Sequence, residues 1–407
     1  MRRTTFNLEE FIKTHVTRRP ESLLKPDLEK YARQLNAALN GKRMLVIGGA
    51  GSIGSQYIKA ALKFDVAKLV VVDINENGLT ELVRDLRSSA GYHIPADFVT
   101  YPVNFGDRVF EKLFQAHGPF DVVANFAALK HVRSEKDIYS IEAMIENNVL
   151  RAGKLLDMLL DDPPEHFFCV STDKAANPVN IMGASKKLME ELIMAYADRI
   201  TITTARFANV AFSNGSLPLG FLERMNKKQP WSCPLGIRRF FVSPLESGEL
   251  CLLASVIGES GDIFYPKLDP DKDMIPFDRI ARDLLKTLDL EPDICATEEE
   301  ARQKALKLGD NPATWPVCFF ESDTSGEKPY EEFYTETEQR DEEKFMNLGV
   351  IKNSKKRNKS EIDQIFNRLR QLFDSKNVTK AGIVNILKKY LPDFEHIEKG
   401  RGLDSRM

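Results

Sequence analysis

A glycine-rich stretch near residue 50 constrains the fold of this chain more than any other feature. Residues 48–54 read Gly-Gly-Ala-Gly-Ser-Ile-Gly, between the apolar run Met44–Ile47 and the amphipathic stretch Ile53–Leu62. The glycine at 48 permits a tight turn, the glycine at 51 lets the backbone approach a pyrophosphate, and the glycine at 54 lets a helix pack closely on the sheet. This strand–turn–helix context predicts a Rossmann dinucleotide site rather than a structural glycine turn, with the phosphates at the helix N-terminus. The expected contacts are Gly48, Gly51, Ser52, Ile53 and Gly54.

Short, wholly apolar runs separated by amphipathic stretches follow this motif. The alternation is typical of parallel strands that helices bury on both faces. The predicted strands are Met44–Ile47, Leu69–Asp73, Phe98–Val103, Val122–Phe126, Phe167–Val170 and Ile202–Arg206. The predicted helices are Ile53–Leu62, Asn77–Ser88, Val109–Gln115, Ile141–Leu160 and Ala184–Ala197. The fold class is therefore α/β, with a doubly wound parallel Rossmann sheet.

The rest of the chain divides into a smaller part and two helical extensions. Residues 1–40 carry apolar side chains at near-helical spacing and predict a helical N-terminal extension, packed on the main body or on another subunit. Residues 41–207 hold the dinucleotide-binding domain, to which later segments return, and residues 208–335 hold most of a mixed α/β substrate-binding part. Residues 336–407 end in two amphipathic helices. They begin with a charged stretch, Glu336–Lys359, that we interpret as a solvated linker or surface excursion.

Charge, cysteine content and hydropathy narrow the class of protein. The 57 basic and 60 acidic side chains nearly cancel, which argues against a nucleic-acid partner. The 5 cysteines include no Cys-x-x-Cys pair, which predicts reduced thiols and no metal site. No stretch approaches the roughly 18 apolar residues of a membrane span, and the N-terminus lacks the apolar core of a signal peptide. We therefore expect a cytoplasmic protein without a membrane partner.

Four further residues are candidates for contact with the dinucleotide. Asp73 ends the second strand and is placed to accept hydrogen bonds from the adenosine ribose. A carboxylate there repels a 2′-phosphate, so we expect NAD, with NADP as the alternative cofactor. The other role open to Asp73 is the N-cap of the following helix. Asn104 is placed to meet the adenine, and Ala127 and Ala128 would line the cofactor, unless these small residues serve packing alone.

Two later stretches carry candidate catalytic residues at the carboxyl ends of predicted strands, where an open α/β sheet binds its ligands. Cys169–Ala175 reads Cys-Val-Ser-Thr-Asp-Lys-Ala, and Asn180–Lys187 reads Asn-Ile-Met-Gly-Ala-Ser-Lys-Lys. Together they resemble the extended short-chain dehydrogenase/reductase superfamily, whose members carry a Ser or Thr after this strand and then Tyr-x-x-x-Lys. Thr172 and Lys186 match that pattern, whereas Met182 occupies the tyrosine position. A thioether has no proton to exchange, so the usual base is missing.

The adjacent pair Asp173-Lys174 offers acid/base groups in place of the tyrosine. Simple oxidoreductases of the superfamily do not need two extra acid/base groups at this point. Elimination of water across C5 and C6 of a sugar needs both, because one group takes the C5 proton and another protonates the departing hydroxyl. The pair therefore favours a dehydratase. The alternative is a surface ion pair in a loop, without a function.

Further motifs extend the resemblance over roughly residues 40 to 335. They are Asn125–Val132, Asn148-Val149, Ser171–Lys187, Arg206–Val210, Arg239–Phe241 and Gly326–Glu332. With them, the chain resembles the polysaccharide-biosynthesis nucleotide-sugar 4,6-dehydratases. Methionine in place of tyrosine is similar to the branch that acts on UDP-N-acetylglucosamine with retention at C5. Many relatives in that branch carry membrane-spanning helices before the Rossmann domain, and we expect none here.

The resemblance implies a reaction and a role for each catalytic residue. With NAD bound throughout, C4 is oxidised, water leaves from C5 and C6, and the hydride returns to C6, which gives a 4-keto-6-deoxy sugar nucleotide for surface glycans. Lys174 would be the C5 base, which requires a lowered pKa, and Asp173 the acid at the C6 hydroxyl, which requires a pKa raised by burial. Thr172 would hydrogen-bond O4, and Lys186 would hold the nicotinamide ribose.

The resemblance also implies contacts to a UDP-sugar substrate. Asn209 and Arg239 would approach the diphosphate, and Glu327 the uridine ribose. Lys130 and His131 would lie on the sugar side of the cleft, although His131 has an alternative role as a helix-start residue satisfied by backbone. Departures from the family pattern fall in the substrate half and leave the sugar and the nucleotide open. They are Arg133, Ala211-Phe212 and Thr324-Ser325.

Two other functions remain open beside the dehydratase. A nucleotide-sugar 4-epimerase or dehydrogenase is disfavoured because Met182 lacks a proton and because those reactions have no use for the Asp173-Lys174 pair. A non-catalytic dinucleotide-binding scaffold is disfavoured because a sensor needs none of the retained proton donors. We expect a homo-oligomer, since a helical tail of this kind is more often a docking element than a catalytic one.

Overall fold

The computed structural model describes residues 6–321, 330–352, 354, 356–375 and 377–397, except for the side chain of Arg133. Its amino-terminal extension is helical, as the spacing of apolar residues predicts. The helices are α1 (Leu8–Phe11), a π-helical continuation (Ile12–Val16), α2 (Lys25–Lys30) and α3 (Ala32–Leu39). Leu35 and Leu39 are buried in the main core, so the extension packs on the body of its own chain.

Strands and helices then alternate as the apolar runs predict. In chain order they are β1 (Arg43–Ile47), α4 (Ser52–Ala61), β2 (Lys68–Val72), α5 (Glu76–Ser88), β3 (Asp97–Tyr101), α6 (Arg108–His117), β4 (Val122–Asn125), α7 (Ile138–Ile145), α8 (Arg151–Leu159), β5 (His166–Val170), α9 (Ile181–Met194) and β6 (Ile202–Ala205). Every predicted strand is present, with small differences at the ends. The helix predicted over Ile141–Leu160 is interrupted by a π-helical turn at Glu146–Leu150, between α7 and α8.

The second half of the chain mixes short strands with helices. In chain order these are β7 (Asn209–Val210), α10 (Leu217–Asn226), β8 (Trp231–Leu235), β9 (Arg238–Val242), α11 (Pro244–Ile257), β10 (Ile263–Pro266), α12 (Pro270–Asp273), β11 (Met274–Pro276), α13 (Phe277–Thr287), β12 (Glu291–Cys295), α14 (Glu298–Ala305), β13 (Thr314–Glu321), β14 (Arg340–Asp341), β15 (Leu348–Ile351), α15 (Lys359–Phe373) and α16 (Lys380–Tyr390). Some of these elements extend the main sheet and others form a separate layer.

The main sheet has nine strands among the described residues, in the order β14-β15-β10-β6-β5-β4-β1-β2-β3. Strands β1 to β6 and β10 all run parallel to one another, whereas β15 pairs antiparallel with β10. Chain order reverses at β1, which pairs with β2 on one side and β4 on the other. The doubly wound α/β fold is therefore confirmed, and the crevice for a ligand lies at the carboxyl ends of β1 and β4.

The charged segment Glu336–Lys359 corrects the sequence interpretation of a solvated linker, because two of its stretches are strands of the main sheet. All residues of β15 are buried, and β14 pairs with β15 at the edge. The buried carboxylate of Asp27 accepts hydrogen bonds from the backbone nitrogens of Met346 (2.6 Å) and Asn347 (2.8 Å), just before β15. The charged residues on both sides dominate the pattern of this segment, so the short apolar strand Leu348–Ile351 was not predicted.

Two small sheets lie in the part of the chain for which the sequence predicts substrate binding, and that role stays a prediction. One contains β7, β9 and β11, and the other contains β8, β12 and β13. A second hydrophobic core lies here, in which the ring of Trp231 stacks on Phe221 at 4.7 Å between centroids. Phe11 and Ile12 of the N-terminal extension join this second core, so the extension contacts both halves of the molecule.

The two C-terminal helices are present as predicted and dock on their own chain. The ring of Phe366 in α15 fills the space beside Gly153 in α8, where an added Cβ would lie 2.4 Å from the ring. Arg357 pairs with Glu191 of α9 and also donates to the carbonyl of Tyr390 in α16. Homo-oligomer formation remains a prediction. Among the described helices, none combines the length and the apolar character needed to cross a bilayer.

Candidate active site

A cavity of about 390 Å³ opens at the carboxyl ends of β1, β4 and β5. The glycine-rich turn, the loops after β4 and β5, the start of α9 and the turn at residues 213–216 form its walls. It brings together most of the residues that the sequence selects. Those residues are Gly48, Gly51, Ser52, Ile53, Gly54, Ala128, Lys130, His131, Thr172, Asp173, Lys174, Met182, Lys186 and Asn209.

The glycine-rich turn has the close approaches that its sequence predicts. Gly48 has a φ of +75°, and a Cβ there would lie 2.6 Å from the backbone nitrogen of Ala127. A Cβ at Gly54 would lie 2.3 Å from the carbonyl oxygen of Gly48, so α4 packs directly on the turn. The N-cap of α4 is Gly51, which has no side chain to cap the helix, and the first N–H groups of α4 are suited to a phosphate. Ser52 Oγ accepts a hydrogen bond from Asn214 N at 2.9 Å, across the cavity wall.

Asp73 lies at the end of β2, beside the glycine-rich turn but outside the cavity lining. Its Oδ2 accepts a hydrogen bond from Ala50 N (3.0 Å), and its Oδ1 accepts one from Asn75 N (2.9 Å). Asn75 caps α5 by accepting a bond from Gly78 N (3.0 Å). The alternative role of Asp73 as the helix cap is therefore wrong, and its carboxylate holds the backbone of the turn.

Two more predicted residues, Asn104 and Ala127, also lie away from this lining. Asn104 Oδ1 accepts a hydrogen bond from Gly106 N (2.9 Å) and shapes the turn after β3. Ala127 N donates to Asn125 Oδ1 (3.0 Å) directly behind the glycine-rich turn. Glu327 lies outside the described residues. Their contacts to a cofactor or substrate therefore stay predictions.

The loop after β4 is held by an asparagine that sequence reasoning did not assign. Asn148, in the π-helical turn, accepts a hydrogen bond from Leu129 N and donates one to Leu129 O, both at 2.9 Å. This places Lys130 at the cavity wall. Burial of its ammonium group among protein atoms lowers the pKa of this lysine. His131 begins a short 3₁₀ helix without capping it by its side chain, and its ring lies against Gly215. It is thus both a helix-start residue and a cavity residue.

Asp173 is buried at the centre of a hydrogen-bonded cluster, with 4% of its surface exposed. Its Oδ1 accepts hydrogen bonds from the Thr172 hydroxyl (2.8 Å), from Lys174 N (2.9 Å) and from Lys174 Nζ (2.9 Å). Three donors converge on one oxygen, as an ionised carboxylate can accept them. The alternative of a surface ion pair is therefore wrong.

The pKa of Lys174 differs from the prediction. Burial lowers it, but the carboxylates of Asp173 and Glu331 outweigh burial and the positive charge of Arg239, so that the pKa of Lys174 is raised above its ordinary value. The expected lowered pKa is thus wrong for the chain on its own. Asp173 is the larger cause of the rise, and Glu331, whose Oε1 lies 3.7 Å from Lys174 Nζ, adds to it.

Lys186 and Met182 occupy one face at the start of α9. Lys186 Nζ donates to Val170 O at 2.7 Å, and burial lowers the pKa of this lysine. Met182 is 2% exposed, and its backbone nitrogen donates to Glu135 Oε1 at 3.0 Å. The thioether therefore stands at the cavity wall where the superfamily pattern has a phenol, and it can exclude water but not move a proton.

Asn209 and Arg239 lie on neighbouring strands of a small sheet, with different surroundings. Asn209 lines the cavity from β7, and its Nδ2 is buried with no hydrogen-bond partner among the described residues. Such a donor costs about 1–3 kcal/mol when it stays unpaired, which marks it as a candidate ligand contact. Arg239 is 5% exposed on β9, and its Nη1 donates to the Arg238 carbonyl at 2.8 Å. Its charge acts on Lys174.

The fold and this site define a Rossmann-fold protein of the extended short-chain dehydrogenase/reductase superfamily. A family described as "Polysaccharide biosynthesis protein" matches residues 44–353, and the chain belongs to that family.

Three curated relatives differ in what they are called and in how much of them is matched. "Uncharacterized membrane protein MJ1061" of Methanocaldococcus jannaschii is 31% identical over 316 residues, which are 76% of this chain and 85% of that protein. UDP-glucose 4-epimerase of Rickettsia bellii is 33% identical over 56% of this chain and 66% of its own length. Capsular polysaccharide biosynthesis protein CapD of Staphylococcus aureus is 29% identical over 56% of this chain. That match spans 38% of CapD.

Among solved structures, Pen from Bacillus thuringiensis has the same fold. It superposes with a TM-score of 0.61 at 21% identity, covering 78% of this chain and 89% of that chain. At this identity, the similarity establishes the fold and leaves the chemistry to the residues of the cavity.

Proposed function

We propose that this protein is a UDP-N-acetylglucosamine 4,6-dehydratase that retains the configuration at C5 and uses NAD as a recycled cofactor. One observation carries the proposal: Lys174 Nζ and Asp173 Oδ1 are hydrogen-bonded at 2.9 Å beside the Thr172 hydroxyl, in a cavity where Met182 replaces the usual phenol. A base and an acid in contact are what elimination of water requires.

The cofactor assignment rests on the residues that would hold it. Bound NAD would supply a reversible hydride acceptor for C4 of the sugar. The cradle between Gly48, Gly54 and the start of α4 suits its pyrophosphate, and Lys186 lies where the nicotinamide ribose would be held. Asp73 favours NAD over NADP, because its carboxylate repels a 2′-phosphate.

The acid/base pair supports elimination without a net change in its own protonation. Lys174 and Asp173 together hold one proton in their ion pair. Transfer of this proton from Lys174 Nζ to Asp173 across 2.9 Å gives a neutral amine and a neutral acid. The amine then takes the C5 proton, and the acid protonates the oxygen leaving from C6 as water. The ion pair is restored, so a raised pKa of Lys174 is compatible with its role as the base.

The UDP-sugar assignment rests on the substrate side of the cavity and on the relatives. Asn209 Nδ2 offers a buried donor at the cavity wall, and Lys130 adds a positive charge for an anionic substrate. Membership of the polysaccharide biosynthesis family and the similarity to CapD support a sugar nucleotide destined for a surface glycan. The cytoplasmic location stays a prediction.

Mass spectrometry of UDP-N-acetylglucosamine incubated with the purified protein in deuterium oxide tests this function. We expect a product lighter by one water, after allowance for one deuterium taken up at C5. A nucleotide sugar of unchanged composition would contradict the dehydratase.

A second candidate function is a 4-epimerase, which the 33% identity to the Rickettsia UDP-glucose 4-epimerase favours. Epimerisation removes no water, so the same spectrum separates the two activities. We prefer the dehydratase because the Asp173–Lys174 pair supplies the two proton transfers of elimination, for which epimerisation has no use. A non-catalytic scaffold would bind NAD and leave every sugar nucleotide unchanged.

A further inference from the structure

Glu331 brings a second carboxylate to Lys174 from a distant part of the chain. Lys174 Nζ lies 2.9 Å from Asp173 Oδ1 and 3.7 Å from Glu331 Oε1. The side chains of Asp173 and Glu331 are 4% and 5% exposed, whereas that of Lys174 is 19% exposed and faces the cavity. A single ammonium group therefore bridges two buried carboxylates.

The segment that follows Glu331 is fixed by buried contacts. Arg206, which is fully buried, donates to the carbonyl of Phe333 at 2.9 Å and pairs with Glu338 at 2.8 Å. The ring of Phe333 packs against Phe240 of β9, at 5.2 Å between centroids. Glu331 is therefore held in place independently of its contact with Lys174.

The next residue, Glu332, offers a matched comparison on the same segment. Its side chain is exposed and accepts a hydrogen bond from Asn177 Nδ2 at 2.9 Å, on the loop that follows Lys174. The two adjacent glutamates thus touch the same loop in different ways. Glu331 contacts the candidate base, and Glu332 contacts the side chain of Asn177 further along the loop.

The proposed elimination gives the two carboxylates different tasks. Asp173 must break its hydrogen bond to Lys174 so that its carboxylic acid proton can reach the oxygen that leaves C6. At the same moment, the amine of Lys174 takes the C5 proton and becomes positively charged. A buried ammonium without a partner carries a large desolvation cost. Glu331 lies within reach of Lys174 Nζ and can remain its counter-charge through this step.

We propose that Glu331 is a positioning residue that holds the side chain of Lys174 at the cavity and stabilises its ammonium form while Asp173 acts on the substrate. This inference rests on the proposed function for its catalytic meaning, but the ion pair itself can be measured without a substrate. The charged groups that act on Lys174 are Asp173, Glu331 and Arg239. Removal of the Glu331 charge leaves Asp173 opposed by Arg239, so Lys174 should lose its proton at a lower pH.

The test is a pH titration of the full-length chain labelled with ¹³Cε-lysine, read by NMR. The Lys174 signal is assigned by its loss in Lys174→Arg. We expect its titration midpoint in Glu331→Gln to fall by about one pH unit or more relative to the wild type, the usual effect of one close opposite charge. Glu332→Gln should titrate as the wild type does. Equal midpoints in the wild type and in folded Glu331→Gln would overturn the inference.

A second variant keeps the test decisive if Glu331→Gln does not fold. Glu331→Asp retains the charge and withdraws it by one methylene, so the Lys174 midpoint should fall by less than in Glu331→Gln. An unchanged midpoint in Glu331→Asp would also overturn the inference. In the dehydratase assay, the alkaline limb of kcat/KM should move to lower pH with the NMR midpoint. A wild type without dehydratase activity would remove the proposed function and leave the NMR result standing.

Discussion

The two ends of the cavity are built in different ways. At the end formed by the glycine-rich turn, which we call the dinucleotide end, Gly48 and Gly54 lie within one short motif. Backbone atoms lie so close to both glycines that an added Cβ would be only 2.3–2.6 Å away from them. At the acid/base end, Asp173 and Lys174 meet Glu331, which comes from the far end of the substrate half. A local motif therefore specifies backbone geometry, whereas the protonation of a side chain depends on neighbours that sequence spacing does not reveal.

The largest expected effect is at the acid/base end. Lys174→Arg keeps a positive charge between Asp173 and Glu331, so the fold and the binding of NAD should change little. A guanidinium cannot give up its proton at accessible pH, so kcat for loss of water should fall by about 10²–10⁴-fold. The measurements are turnover by mass spectrometry and NAD affinity by calorimetry.

Lys187→Arg is the matched control for this substitution. Lys187 is the neighbour of Lys186 on α9, and its ammonium lies 3.7 Å from both Glu190 and Glu338, away from Asp173. We expect full activity in this variant. Turnover of Lys174→Arg at the wild-type rate would show that position 174 needs only a positive charge and moves no proton. The comparison between an end that depends on backbone shape and an end that depends on side-chain protonation would then fail.

The next largest effect is expected at the dinucleotide end, where NAD affinity should depend on the shape of the backbone rather than on charge. Gly48→Ala places a methyl group 2.6 Å from Ala127 N at a φ of +75°, so the turn must shift. Backbone strain of this kind costs about 1–3 kcal/mol, and the displaced turn should lose most of its NAD affinity. Thermal unfolding and calorimetric titration with NAD measure the two effects.

Gly41→Ala separates strain from collision. Gly41 has a φ of +73°, but no atom of the described residues lies within 4 Å of an added Cβ. Gly41→Ala should therefore lower the free energy of unfolding by about as much as Gly48→Ala does, while its affinity for NAD stays at the wild-type value. Equal loss of NAD affinity in both variants would mean that the motif acts through general stability, and not through the cradle it forms.

The same distinction explains how much of the fold the sequence could predict. Apolar runs identified every strand from β1 to β6, because burial on both faces of a parallel sheet leaves an unmistakable pattern. The pattern failed for β15, where only four residues, Leu348–Ile351, are buried among charged neighbours. Asp27 fixes the start of that strand from the other end of the chain, and no local signal shows such a contact.

The candidate site divides in the same way. Position after a strand was enough to select Thr172 and Asp173, and the family resemblance selected Lys186 and Asn209, which line the same cavity. The pKa of Lys174 was predicted in the wrong direction, because the sequence does not show how closely the carboxylates of Asp173 and Glu331 approach its ammonium group. Glu331 was visible as part of a family-like motif, but its distance to Lys174 follows from the anchoring of its segment by Arg206.

The smallest expected effect is at Asn209, between the two ends of the cavity. Its Nδ2 is buried without a hydrogen-bond partner among the described residues, so Asn209→Ala removes a cost from the ligand-free protein. The free energy of unfolding should therefore stay equal or rise, while the affinity for UDP falls by about 0.5–1.5 kcal/mol as one hydrogen bond is lost. Asn148→Ala is the opposite case, because Asn148 is hydrogen-bonded to both backbone groups of Leu129, and it should destabilise the chain by about 1–3 kcal/mol. If Asn209→Ala destabilised the protein as much as Asn148→Ala, Asn209 would be a structural residue, and the diphosphate contact would have to come from elsewhere in the cavity.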